Sequence, residues 1–109
     1  MAYDEMLAER IRTVVARRKG ITERNMFGGV AFMASGNMAF GIVKDELMVR
    51  VGPKAHAEAL AMPHARPMDF TKRPMKGMVY VGKPGFRTDE DLKAWIERGL
   101  KFARSLPAK

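Results

Sequence analysis

The stretch Met26-Phe27-Gly28-Gly29-Val30-Ala31-Phe32-Met33-Ala34-Ser35-Gly36-Asn37-Met38-Ala39-Phe40-Gly41-Ile42-Val43 reads as two apolar strands folded back on each other around Gly36-Asn37. Both turn residues tolerate positive φ, which a two-residue hairpin turn requires. That turn sets Ser35 opposite Met38, Met33 opposite Phe40 and Ala31 opposite Ile42. Asp45-Glu46 predicts a second tight turn, with Lys44 against Leu47, Ile42 against Val49 and Phe40 against Val51. Alternation then sorts the side chains onto two faces. The first holds Ala31, Met33, Met38, Phe40, Ile42, Leu47, Val49 and Val51, and is the evident core face. The second holds Val30, Phe32, Ala34, Ala39, Gly41, Val43, Met48 and Arg50. A solvated sheet face should alternate to polar residues. This one is apolar around small Ala39 and Gly41, which predicts that something covers it.

Upstream, Tyr3, Leu7, Ile11, Val14, Val15 and Arg18 recur at three- and four-residue spacing and predict a helix from Asp4 to Lys19, stopped by Gly20. Downstream, Gly52-Pro53 ends the third strand and opens a short helix to Met62. Arg66 to Phe70 predicts a fourth strand and Met75 to Val81 a fifth. Thr88 is the expected cap of a last helix, with Asp89, Glu90 and Asp91 in its positive first turn. Leu92, Trp95, Ile96, Gly99 and Ala103 form one stripe along it. Helix, three strands, helix, two strands, helix is the order of a two-layer α+β domain, a largely antiparallel sheet with helices packed on one face.

The 109 residues suit a single domain over residues 1–109, and 47% hydrophobic content suits one continuous core. The absence of cysteine excludes disulfides, thiolate metal sites and cysteine nucleophiles. Met1 to Glu9 lacks the apolar core of a signal peptide, and no apolar run approaches the roughly 20 residues of a spanning helix. A cytoplasmic protein without membrane contact is the expectation. The net charge of +8 points towards acidic partners. Arg17, Arg18 and Lys19, like Arg98, Lys101 and Arg104, fall at expected helix C-termini, where cations oppose the dipole for about 0.3–1 kcal/mol each. Arg66, Lys72, Arg73, Lys76, Lys83 and Arg87 have no such explanation and form a candidate basic patch; Arg66, Lys72, Arg73, Lys76 and Lys83 are its centre.

No catalytic, cofactor-binding or metal-binding group assembles from the sequence. His56 and His64 are the only histidines, stand alone, and read as surface residues. Ser35 flanks a turn and Ser105 a helix end, neither in a nucleophile elbow. Gly28-Gly29 opens a strand rather than a helix, so it is not a phosphate cradle. Asp69, among apolar and basic neighbours, reads as a turn residue or the partner of Lys72 or Arg73. Arg50, mid-strand on the second face, has two readings: a stem covering the sheet with its head in water, or an anchor for an acidic partner or anion.

Jointly, Met26-Phe27-Gly28-Gly29, Gly36-Asn37-Met38, Leu47 to Val51, Pro67-Met68-Asp69-Phe70, Met75-Lys76-Gly77, and the closing helix with Leu92 and Trp95 make the chain, from about Met6 to Leu106, resemble the N-terminal domain of the TfoX/Sxy family of bacterial competence regulators. The resemblance implies a five-stranded sheet, a regulatory rather than enzymatic role in transcription regulation, and self-association. It offers no catalytic residues. Full-length competence regulators carry a second, C-terminal domain, and this chain, ending at Lys109, is expected to be a stand-alone version.

The leading expectation is therefore a non-enzymatic regulatory or adaptor protein without cofactor, acting by protein–protein contacts. The second face, through Val30, Phe32, Val43, Met48 and Arg50, would be its interaction face, for a homodimer or a protein partner. The alternatives are a nucleic-acid-binding module using the basic patch, and a small-ligand protein or enzyme with a site between sheet and helices near Asp69, His64 and Tyr80.

Overall fold

The first hairpin forms, but it turns one residue early. In a computed structural model describing residues 3–26, 28–67 and 77–108, Ser35 and Gly36 take the positive φ values, 51° and 85°. Asn37 has a different task. It starts the next strand, is 2% exposed, and its side-chain Nδ2 donates to the Pro107 carbonyl at 2.9 Å. A buried amide with a tertiary partner outweighs its local preference for a turn.

The strands are β1 (Ile21–Met26), β2 (Gly29–Ala34), β3 (Asn37–Val43), β4 (Glu46–Arg50), β5 (Ala65–Pro67) and β6 (Met78–Val81). They form one six-stranded sheet in the order β1-β2-β3-β4-β6-β5, every neighbouring pair antiparallel. The helices are α1 (Glu5–Val15), α2 (His56–Leu60) and α3 (Asp89–Ser105), with a 3-10 turn at Lys83–Phe86. The α+β class and helix order match the sequence expectation. The strand count does not, because the sequence predicts no element between Gly20 and Met26, where β1 forms. Its sequence, Ile-Thr-Glu-Arg-Asn-Met, lacks the apolar alternation of a core strand, which is how an edge strand escapes notice.

Register corrects the face assignment of β2. Phe32 lies opposite Phe40, Val30 opposite Ile42 and Met33 opposite Met38, with a shift between Phe32 and Met33 that leaves Ala39 as the extra residue of a bulge. A one-residue slip moves every side chain to the other face. Val30 and Phe32 therefore join Phe40, Ile42, Leu47 and Val49 in the main core, and Met38 leaves it for the opposite side. The Phe32 and Phe40 rings stack, with centroids 5.1 Å apart. The second turn also comes early, at Lys44-Asp45, pairing Ile42 with Leu47 and Phe40 with Val49. This slip is two residues, so the faces of β3 and β4 survive it.

All three helices cover the Phe32–Phe40 face, contributing Leu7, Ile11, Ala59, Leu92, Ile96 and Leu100 to one core. Asp4 caps α1 by accepting from the Met6 and Leu7 amides at 2.9 and 3.2 Å. The helix ends at Val15, four residues before the expected stop, so Arg17, Arg18 and Lys19 are not dipole-facing residues of its last turn. Arg18 instead pairs with Glu97 of α3. Thr88 caps α3 as expected, accepting from the Asp91 amide at 3.1 Å. The expected stripe is buried in full.

Arg12 ties α1 to β1 by a two-pronged hydrogen bond to Glu23, at 2.8 and 2.7 Å. Those hydrogen bonds hold the Glu23 carboxyl below its usual range. They raise the Arg12 guanidinium still further, with Glu9 adding to the effect. A carboxyl lowered in the folded state stabilises the fold above its ordinary range, and that stability is lost as pH falls through its lowered folded value. The pair is partly solvated, so the effect is about 0.5–1 kcal/mol. Glu23→Gln is expected to lower the melting temperature at pH 7 and to match the parent under strongly acid conditions. Equal differences at both pH values would disprove it.

Candidate functional site

The sheet side away from the helices is the candidate site. One cross-strand row spans it: Arg24, Ala31, Gly41, Met48, Tyr80 and Arg66 lie opposite one another in turn through all six strands. Small residues hold its middle. A Cβ on Gly41 would stand 2.6 Å from the Val30 carbonyl oxygen and 2.7 Å from the Met48 Cε. Glycine thus lets Met48 lie flat across β3. Met48, Met78 and Tyr80 form a second apolar cluster, with partly buried Met38 and Val43 against it.

Charged residues close the ends of this face. Arg66 stacks on Tyr80, its guanidinium carbon 4.7 Å from the ring centroid, and pairs with Glu46. The turn shift explains this pair, because Glu46 has left the turn and entered β4. Arg50 sits at the other end. Its Nη1 donates to the Met38 carbonyl at 3.4 Å, and its guanidinium lies 5.1 Å from the centre of the Phe102 ring on α3. The arginine bends around the end of the sheet, its head engaged by a ring and a carbonyl.

The residues picked out by sequence are thus divided. Val43, Met48 and Arg50 lie on this second side, whereas Val30 and Phe32 lie in the helix-covered core, 2% and 1% exposed. Met48 is itself 1% exposed, tucked beneath its neighbours rather than offered to solvent. Half-buried Met33, which the sequence reading placed in the core, and Val43 are nearer the surface. The signal that would have found Met33 is the β2 register.

Of the basic patch, Arg66 pairs with Glu46 and Lys83 lies 3.7 Å from Asp45, while Lys72, Arg73 and Lys76 fall outside the described residues. Asp69 also falls outside them. Tyr80 belongs to the helix-free side, so it does not line a site between sheet and helices, and His64 occupies an exposed turn with φ 67°. Sequence reasoning missed the role of His56. Its Nδ1 accepts from the Gly77 amide at 3.0 Å, stapling α2 to the start of β6, and its Nε2 is buried with no partner among the described residues. No group of three or more metal-ligating side chains gathers among the described residues. No described helix is long and apolar enough to cross a membrane.

A helical layer on one side of an antiparallel sheet, with a second, smaller apolar cluster buried on the other, defines a small α+β domain. The TfoX N-terminal domain family model matches residues 13–103, nearly the whole chain, and the chain belongs to that family. Membership points to a regulatory, competence-related role. No curated protein and no solved structure matches the chain.

Proposed function

We propose that this domain is a non-enzymatic regulatory adaptor that works through protein contacts on the helix-free side of its sheet, with a second copy of the chain as the first occupant. One observation carries the reading: half-buried Met33, Met38 and Val43 lie over and beside a buried apolar cluster of Met48, Met78 and Tyr80, on a side where no described helix packs. Half-buried methionines such as Met33 and Met38 adapt to the shape of a partner. Arg24 and Arg66 at the two ends of the row would fix orientation more than affinity.

Light scattering at high micromolar concentration tests the self-associated form, and a dimer is expected. Val43→Glu is the variant to use, since this side chain is half-buried. Met48→Asp is unsuitable, because a carboxylate there would be buried in the monomer itself. Val43→Glu is expected to give a monomer whose melting changes by less than about 1 kcal/mol. A wild-type monomer would overturn the homodimer, and a dimer unchanged by Val43→Glu would move the contact elsewhere. The nucleic-acid alternative has less support, since Arg66 and Lys83 face carboxylates of their own chain. A gel shift that appears at low salt and fades steeply with added salt would restore it.

A further inference from the structure

A hollow of about 550 Å³ opens where the C-terminal half of α3 faces the turn from β4 into α2. It lies apart from the methionine-lined sheet side. Its floor is apolar, made by Val51 and the half-buried Phe102 ring. Gly52 sets that floor. Its φ is 85°, and a Cβ there would stand 2.3 Å from Cδ1 of Phe102, so any side chain at 52 would drive the ring from its seat. Arg50 holds the ring by stacking its guanidinium on it.

The rim is cationic. Lys54 comes from the β4–α2 turn, and Arg98 and Lys101 from α3. One carboxylate, Glu58, opposes them, 3.6 Å from Arg98. Lys54 and Lys101 are exposed and have no ion-pair partner among the described residues. The remaining polar group offers no competing donor, because the Ser105 hydroxyl already donates to the Phe102 carbonyl at 2.6 Å. A site whose free side-chain hydrogens are all cationic selects a head group that only accepts. Its volume falls in the range of small-molecule sites.

We propose that this hollow binds a small organic anion: an aromatic or aliphatic body resting on Phe102 and Val51, and one carboxylate or comparable acidic head between Lys54 and Lys101. Such a ligand would give a regulatory domain an effector site separate from its partner surface.

The probe is 2-naphthoate, with uncharged 2-naphthylmethanol of the same shape as its control. Titration into the 15N-labelled chain is expected to shift the amides of Gly52, Ala55 and Phe102, saturating below about 1 mM. The emission of Trp95, the single tryptophan, should respond as well, because Arg98 lies 5.3 Å over its ring. The alcohol should bind at least about tenfold more weakly, and Lys54→Glu/Lys101→Glu should lose a similar factor for naphthoate while melting like the parent. Both lysines are exposed, so that double variant keeps the fold. Equal affinity for acid and alcohol, undiminished binding by the double variant, or shifts confined to Met33, Val43 and Tyr80 would each overturn the proposal. Absence of saturable shifts at Gly52 and Phe102 would do the same.

Discussion

Phe32→Ala is expected to cost about 3–5 kcal/mol, the upper range for a core truncation. The side chain is 1% exposed, stacks on Phe40, and lies under the helices. Removing it leaves a cavity that a sheet pinned on both sides cannot close. Met33→Ala, one residue along and half-buried on the other side, should cost under about 2 kcal/mol. Chemical denaturation of the two variants measures the difference. The test bears on register, because the hairpin centred on Gly36-Asn37 predicts the reverse order. A larger loss for Met33→Ala would sink the pairing described above.

Gly99→Val is the second large effect. A helix interior ordinarily gains about 1 kcal/mol when glycine gives way to alanine. Here a Cβ would stand 2.3 Å from the Ala39 carbonyl oxygen and 3.0 Å from its carbon. Those are backbone atoms in the middle of the sheet and have no rotamer to escape into. Overpacking therefore outweighs propensity, and α3 must lift away from β3 at a net cost of about 2–3 kcal/mol or more. Ala94→Val, exposed on the same helix, should cost under about 1 kcal/mol. With roughly 4–8 °C per kcal/mol for a domain of this size, thermal melts separate the two variants. A Gly99→Val protein as stable as its parent would mean that α3 does not approach β3 so closely.

The gross architecture was legible because it rests on strong local signals. Thr88 and its acidic first turn announce α3, and the Leu92–Ala103 stripe announces its buried face. Register was legible only in part, and the two hairpins show why. Both turns fell short of their expected places. The second sits one residue early, which shifts its pairing by two, and period-two alternation forgives that, so Leu47 and Val49 kept their faces. The first also sits one residue early, but the bulge at Ala39 takes back one of the two residues of slip, so beyond it the slip is one and Phe32 and Met33 exchanged sides. The turn's own displacement has a partner 70 residues away, the Pro107 carbonyl that holds Asn37 out of the turn. No local reading reaches that far. The side of the sheet away from the helices was legible at Val43 and Met48, where register was safe. The strand position of Arg50 was legible too, but not the course of its head, which is taken by a ring on α3. The hollow over Phe102 had no signature in sequence, since its walls come from residues 51–58 and 98–105.

The rim strands of the sheet carry one more implication, for behaviour in crowded solution. A twofold join of two sheets keeps their faces aligned, so each residue of β1 can meet only one of its own parity. Centring such a join on Glu23 sets two carboxylates together, and centring it on Arg24 sets two guanidinium groups together. At the far rim β5 is three residues long and ends in Pro67, which has no amide hydrogen to offer. The charges at the centre of β1 and the short, proline-ended β5 both work against adding a further strand, and so against growth into ribbons and fibres.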